Sequence, residues 1–446
     1  MSPHKSERNA LFALAIPMIL SNITVPILGL VDTGVIGHLP EPYYLGATAV
    51  GSMVITFITW FCGFLRMSTS GLSAQAFGKG DANLSLMVLT RGLMVALIIG
   101  FSLIVLQYPY IEAFLWASGG SEQVVHYARE YSQIRVWGMP AALANLVILG
   151  WLLGMHKARL AMSLLIVTNL INLSLDLLFV LYFEWAVAGV AFATLIAEYS
   201  GTALGIYFIV LTLAPKQLNI HNNVSQLKQR LLNMVELKPY LQLNRDILIR
   251  TLCLELCFVF ITLQGARLGD TVVAANAILM NFILLISFSL DGIAYAAEAR
   301  VGRAKGANDH PALQLAVKTA MVYNLIFAVC YSVFFYLFGE QFILMLSNID
   351  QVIAYAQVFL PWIIALPILA CWCYLFDGIY IGLTQAKAMR NSMLISTFGC
   401  FFPAWFILKD YGNHALWAAL LLFLTTRGVT LMWHYKKHNQ RFIGQN

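Results

Sequence analysis

Long apolar stretches recur from one end of this chain to the other, and they constrain its fold more than any other feature. Twelve are long enough to cross a bilayer as a helix. Only 11% of the 446 residues are charged, against about 25% in a soluble domain. The sequence therefore predicts an all-α polytopic membrane protein with twelve transmembrane helices. The predicted spans are 9–37, 45–77, 84–110, 122–154, 158–183, 186–213, 245–268, 271–299, 312–338, 348–382, 388–408 and 413–435.

The distribution of Lys and Arg predicts the orientation of these spans. Basic residues such as Lys79, Lys157, Arg303 and Lys436 fall at the two termini and in the loops that follow even-numbered spans. Because short cytoplasmic loops carry the excess of Lys and Arg, both termini are predicted to be cytoplasmic. The net charge of +6 reflects this topology, so no nucleic-acid partner is expected.

The sequence also indicates an internal duplication. One long polar linker, 214–244, separates a predicted N-terminal lobe, 1–213, from a predicted C-terminal lobe, 245–446, and each lobe holds six spans. The motif Gly150-x-x-x-Gly154 recurs as Gly378-x-x-x-Gly382, at an offset of 228 residues. Tyr127 and Tyr355 share that offset. Two pseudo-symmetric six-helix lobes form a transporter architecture.

Two carboxylates, Asp32 and Asp176, lie in the middle of apolar stretches. An acid at that depth costs roughly 2.5–3.5 kcal/mol on insertion scales, so it is retained mainly where it has a function. Burial favours the neutral form of a carboxyl group, and neighbouring carboxyls titrate as a pair. We therefore expect both acids to gain and lose protons. Pro26, six residues before Asp32, is expected to bend the first helix.

Further polar side chains occur at helical spacing within the first lobe. Residues four apart lie on one face of a helix, and three such pairs stand in otherwise apolar spans. They are Asn172 with Asp176 (Asn169 lies one turn earlier), Tyr131 with Arg135, and Thr194 with Glu198.

These residues give the chain a resemblance to the multidrug and toxic compound extrusion (MATE) family, in the subfamily of the DNA-damage-inducible protein F. The resemblance covers nearly the whole chain. Its local signatures are Pro26-x5-Asp32-Thr33, Gln75-Ala76-x-Gly78, Asn172-x-x-x-Asp176, Arg300-Val301-Gly302 and Asp377-Gly378-x-x-x-Gly382. It implies a bacterial inner-membrane antiporter that exports drug-like, often cationic compounds by alternating access, in exchange for protons or sodium ions. No enzymatic activity, cofactor or certain metal site is expected, and nothing demands more than a monomer.

The resemblance also implies which residues carry the coupling. In the first lobe these are Asp32, Tyr131, Asn172, Asp176 and Thr194, with Asn169, Arg135 and Glu198 as further candidates. In the second lobe, Glu255 and Asp377, together with Asp291, resemble the cation-binding acids of sodium-coupled relatives. We favour protons because the first-lobe set is complete.

Three alternatives differ from a proton-coupled exporter. A sodium-coupled exporter of the same fold would use the second-lobe acids. A flippase for lipid-linked precursors would need a basic cavity for a diphosphate. The sequence instead has six intramembrane acids and only three candidate intramembrane arginines, Arg66, Arg135 and Arg427. A membrane-embedded enzyme is disfavoured, since the chain has no GxxxxGK[ST], HExxH or GxSxG motif.

Overall fold

The structure, a computed structural model, describes residues 3–37, 41–213 and 233–438. Within these ranges it describes every side chain except those of residues 3, 25–35, 37, 42 and 234–236. All of the regular structure in these ranges is helical, as the sequence predicts for a polytopic membrane protein.

Sixteen α-helices make up the described part of the chain. In chain order they are α1 Pro3–Gly37, α2 Pro42–Phe61, α3 Phe64–Lys79, α4 Ala82–Val105, α5 Gln107–Ser118, α6 Glu122–Val136, α7 Met139–Gly154, α8 Ala158–Asp176, α9 Ala186–Leu213, α10 Met234–Leu268, α11 Asp270–Gly306, α12 His310–Leu346, α13 Asp350–Gly382, α14 Ala386–Ser396, α15 Phe402–Leu408 and α16 Asn413–His438. Short π-helical segments, Leu177–Tyr182 and Thr397–Phe401, follow α8 and α14.

These helices account for the predicted spans. Ten helical stretches among the described residues are long and apolar enough to cross a membrane. The 35-residue helices α1 and α10 run through the two remaining predicted spans. Turns break three of the spans: the second between α2 and α3, the third between α4 and α5, and the fourth between α6 and α7. In the eleventh span, the π-helical segment Thr397–Phe401 joins α14 to α15.

Residues 107–118 form a helix that hydropathy does not separate from its neighbour. The predicted third span continued to residue 110, whereas α4 ends at Val105 and α5 begins at Gln107. Pro109 falls in the first turn of α5, where the absence of an N–H group costs no helical hydrogen bond. The break at Leu106 therefore places the proline where a helix tolerates it.

The helices group into two compact units. One unit is Leu20–Tyr240, and the other consists of Met1–Ile19 with Leu241–Asn446. The first part of α1 thus groups with the second half of the chain. Two contacts bind it there: Glu7 forms an ion pair with Arg300 of α11, and the ring of Phe12 meets that of Tyr323 at 4.8 Å. The predicted lobe boundaries at 213 and 245 stay a prediction, since 214–232 lies outside the described residues.

The two glycine motifs make the same kind of contact in each unit. A Cβ atom at Gly154 of α7 would lie 2.5 Å from the carbonyl oxygen of Ser70 in α3. A Cβ atom at Gly382 of α13 would likewise collide with the carbonyl oxygen of Glu298 in α11. Glycine lets two helix backbones approach closely, so these motifs fix helix pairs that build the interior of each unit.

Replacing Gly154 with Ala is expected to lower stability by about 1–3 kcal/mol, because overpacking forces the α3 and α7 backbones apart. Thermal unfolding of the purified protein in detergent measures the effect. Gly399→Ala is the matched control, since the nearest atom to a Cβ there is 3.9 Å away. Equal unfolding temperatures for the two variants would contradict this account of the motif.

Candidate functional site: a buried polar network in the Leu20–Tyr240 unit

Asp176 is the last residue of α8 and is fully buried, with 0% of its surface exposed. Asn172, one turn earlier on the same face, is 2% exposed. Leu164 and Ala161 continue the buried face toward the start of the helix. The part of the predicted polar stripe that holds Asn172 and Asp176 therefore faces the interior of its unit.

Two amides of this stripe connect α8 to neighbouring helices. Asn169 Nδ2 donates a hydrogen bond to Thr24 Oγ1 of α1 at 2.9 Å. Asn172 Nδ2 donates to Thr194 Oγ1 of α9 at 3.2 Å, and that hydroxyl donates in turn to the Val190 carbonyl oxygen at 3.0 Å. A change in the charge of Asp176 would thus act on a helix bound to both α1 and α9.

A second connection joins α6 to α9. Arg135 Nη1 and Nη2 donate to the two carboxylate oxygens of Glu198 at 2.8 and 2.9 Å. Both side chains are largely buried, and fork-to-fork pairing of this kind fixes geometry as well as charge. Tyr131, one turn before Arg135, is 5% exposed and lies beside the guanidinium. The guanidinium group of Arg135 is therefore paired with the carboxylate of Glu198.

Two predicted residues lie outside the described side chains. The backbone of α1 is helical through Pro26 and Asp32, but the side chains of 25–35 are not among those described. The pairing of Asp32 with Asp176 and the bend at Pro26 therefore stay predictions. The structure joins two pairs of the other candidates, Asn172 with Thr194 and Arg135 with Glu198, and both pairs meet on α9.

The second unit holds its intramembrane acid differently. Arg427 Nη2 donates to Asp377 Oδ2 at 2.7 Å, and Arg250 pairs with the same oxygen. All three side chains are buried. Arg427 also lies over the Phe423 ring, 5.4 Å from its centroid. Two guanidinium groups therefore compensate the charge of Asp377, which leaves this acid poorly suited to a metal cation.

The other two second-lobe candidates are less enclosed than Asp377. Glu255 is partly buried and lies close enough to Arg250 to interact electrostatically. Asp291 of α11 is also partly buried. Among the described residues, no group of three His, Cys, Asp or Glu side chains could hold a metal ion. The second-lobe cation site stays a prediction, and Asp377, one of its three predicted acids, is paired with two arginines.

Sequence reasoning missed several buried charged residues, including Arg250 and Glu298. Arg250 pairs with Asp377, which lies 127 residues later in the sequence, so no local sequence pattern indicates the contact. Glu298 of α11 is fully buried, within the run Ala296-Ala297-Glu298-Ala299. An acid flanked by small residues in an apolar helix was the available signal. The π-helical segment after Asp176 was missed too, and such segments occur frequently at functional sites.

Comparison with known proteins agrees with this architecture. The MatE family model matches residues 17–178 and 247–406. DNA damage-inducible protein F of Escherichia coli K12 is 43% identical over 433 residues, which is 97% of this chain and 93% of that protein. Multidrug resistance protein NorM of Aliivibrio fischeri is 22% identical over 97% of this chain and 95% of its own length.

Solved structures lead to the same fold. The crystal structure of MATE in the straight conformation superposes with a TM-score of 0.87 at 19% identity, covering 98% of this chain and 97% of that one. The family model spans both halves of the chain, and the identity to the Escherichia coli protein extends over nearly all of it. The chain therefore belongs to the MATE family of multi-pass membrane transporters.

Proposed function

We propose that this chain is an inner-membrane antiporter that exports amphipathic organic cations in exchange for protons, with both termini in the cytoplasm. The contrast between its two buried acids supports the proposal. Asp176 stands at the end of an amide and hydroxyl stripe, whereas Asp377 is held by two arginines. A buried carboxyl group that can lose and regain its proton is suited to coupling, whereas two guanidinium groups compensate the charge of Asp377.

The proposed cycle follows from the contacts of α8. Ionised Asp176 attracts a cationic substrate; protonation removes that charge and converts the carboxyl into a hydrogen-bond donor. Because α8 is bound to Thr24 of α1 and Thr194 of α9, the new hydrogen bond changes the packing of three helices together. Substrate and proton then compete for one site, and exchange requires different affinities in the two states of the transporter.

Relatives support the substrate class. The NorM protein matched above is named a multidrug resistance protein, as is MdtK of Photorhabdus laumondii, which is 24% identical over 97% of this chain. Among the intramembrane residues predicted from sequence, acids outnumber arginines. Both points favour drug-like cations over an anionic lipid precursor.

Dye efflux from proteoliposomes tests the coupling ion. Purified protein is reconstituted, the membrane potential is clamped with valinomycin and potassium, and pH and sodium gradients are imposed separately. We expect the pH gradient alone to drive movement of a cationic dye, since one pH unit supplies about 1.4 kcal/mol per proton. Protein-free liposomes are the control. Efflux driven by sodium and not by pH would contradict proton coupling and favour the second-lobe site.

A further inference from the structure

A cleft in the Leu20–Tyr240 unit, at the end that the predicted topology places outside the cell, has no part in the network described above. It has a volume of about 800 Å³ and lies between the starts of α2 and α6. Pockets for drug-sized ligands span about 300–1,000 Å³, so the cleft is large enough for one. Its lining includes Tyr43, Glu122, Gln123, His126, Tyr127 and Arg129; we call it the outer tyrosine cleft.

Aromatic rings form one wall of the outer tyrosine cleft. Tyr43 and Tyr127 stack with centroids 5.4 Å apart and planes 11° apart. Tyr44 meets Tyr127 edge to face at 5.0 Å, and the His126 ring does so at 5.1 Å. Tyr43 and Tyr127 are only partly buried. The stacked pair therefore presents ring surface to the cleft, where a cation can be attracted by the π electrons.

The charges around the cleft favour a cation. Arg129 Nε and Nη2 donate to the two carboxylate oxygens of Glu112 at 2.6 and 2.9 Å. These hydrogen bonds lower the pKa of the Glu112 carboxyl, so Glu112 stays ionised and neutralises the one arginine in the lining. Glu122 is exposed in the lining itself. Glu41 interacts electrostatically with Tyr44, and Glu130 with Tyr127. These two carboxylates add negative charge around the cleft.

The cleft also connects to the buried network along one helix. Tyr127 lies four residues, or about 6 Å along the axis, before Tyr131 of α6. Residues at this spacing share a helix face. Tyr131 in turn lies beside Arg135 and its partner Glu198. A ligand at Tyr127 would thus be one helical turn away from the nearest residue of the candidate site.

We propose that the outer tyrosine cleft is a second binding site, which holds an aromatic organic cation on the outer side of the candidate transport site. The proposal depends on the proposed function for the class of cargo. The cation would lie against the stacked Tyr43 and Tyr127 rings, with Glu122 as its counter-charge. Such a site retains a released cation at low affinity and sets the rate at which it leaves the protein.

The second half of the chain supplies a matched comparison. Glu122 and Tyr127 recur as Asp350 and Tyr355 at the same offset of 228. There, Tyr355 packs on Phe359 with ring centroids 5.0 Å apart and joins the hydrophobic core of its unit. Variants of Asp350 and Tyr355 therefore make similar chemical changes at residues that do not line the outer tyrosine cleft.

Protection of an engineered thiol tests the proposal. Gln123, exposed in the cleft lining, is replaced by Cys in a Cys330→Ser background, because Cys330 is the exposed native thiol among the described residues. Labelling by a charged maleimide is timed at pH 8 with tetraphenylphosphonium as the probe. We expect at least threefold slower labelling with the cation. The isosteric anion tetraphenylborate should give no protection, and a Gln341→Cys control should label equally with and without the cation.

Variants of the cleft sharpen the result. Glu122→Gln and Tyr43→Leu should each raise the cation concentration that gives half-maximal protection by about two- to fivefold. Tyr43→Phe should leave that concentration unchanged, because a cation–π contact needs the ring and not the hydroxyl. Asp350→Asn and Tyr355→Leu should leave protection unchanged.

Two outcomes separate this proposal from the proposed function. If tetraphenylphosphonium leaves the Gln123→Cys thiol unprotected in a protein that still exports this cation under a pH gradient, the second site alone is overturned. Protection that follows the cleft variants, in a protein that a pH gradient does not drive, would support the site and reject proton coupling.

Discussion

Replacing Asp176 with Asn is expected to abolish pH-driven export while leaving the protein folded and inserted. Asn has the shape of the neutral acid and can hydrogen-bond, but it cannot ionise. The side chain is completely buried, so the substitution removes a charge that is costly at this depth. We expect at least a tenfold loss of pH-driven dye efflux in proteoliposomes, with an unfolding temperature equal to or above that of the wild type.

Asp81→Asn is the matched control for this experiment. Asp81 caps α4 by accepting a hydrogen bond from the Leu84 backbone N–H at 2.9 Å, and Asn caps helices about as well as Asp. The chemical change is therefore identical, but it falls outside the polar network. Wild-type efflux from Asp176→Asn, or equal losses in both variants, would remove Asp176 from the coupling mechanism.

Replacing Asp377 with Ala is expected to destabilise the protein strongly, and more than Gly154→Ala does. Arg250 and Arg427 would be left buried without the carboxylate that both contact. Breaking a buried ion pair by removing one partner costs about 3–5 kcal/mol. We expect the unfolding temperature in detergent to fall by several degrees, with a corresponding loss of folded protein in the membrane.

A double substitution separates a structural role from cation binding. Asp377→Ala with Arg427→Met removes one unopposed charge and restores apolar packing, so it should recover part of the lost stability. Asp410→Ala, at an exposed acid, should change stability little. Wild-type stability of Asp377→Ala together with a specific loss of sodium-driven efflux would show that Asp377 binds a cation after all.

Much of the fold could be predicted because its signals are strong and local. Runs of apolar residues define the spans, and the helices follow them from α1 to α16. The offset of 228 between the glycine motifs predicted a repeat, and each motif meets a carbonyl oxygen of the facing helix. A glycine motif indicates a close approach of two helix backbones, because a Cβ atom at these positions would collide with the facing helix.

The breaks within spans could not be predicted in the same way. Gly63 and Gly138 each precede a new helix inside a single predicted span. The helices on the two sides of each break differ in hydropathy, α2 being more apolar than α3 and α7 more apolar than α6, but this difference does not give the residue at which the backbone turns. The position of the break depends on packing: a Cβ atom at Gly138 would collide with Glu198 of α9, a contact 60 residues away in sequence.

The site was predictable to the extent that helical spacing decides which side chains share a face. Asn172 and Asp176, four residues apart, are both buried on one face of α8. Which residue each charged group would choose as its partner was not predictable. Arg135 and Glu198 were separate candidates for the coupling network, and the structure pairs them with each other. Arg250 reaches Asp377 from a distant span, and nothing in its local sequence indicates that partner.

The central claim is that Asp176 exchanges a proton for a cationic substrate, and proton release on substrate binding tests it most directly. Purified protein in weakly buffered detergent is mixed with tetraphenylphosphonium, and a pH indicator records the protons released per cation bound. The account predicts release by the wild type near the pH at which the site is half protonated, and none by Asp176→Asn. Substrate binding without proton release by the wild-type protein at any pH would contradict it.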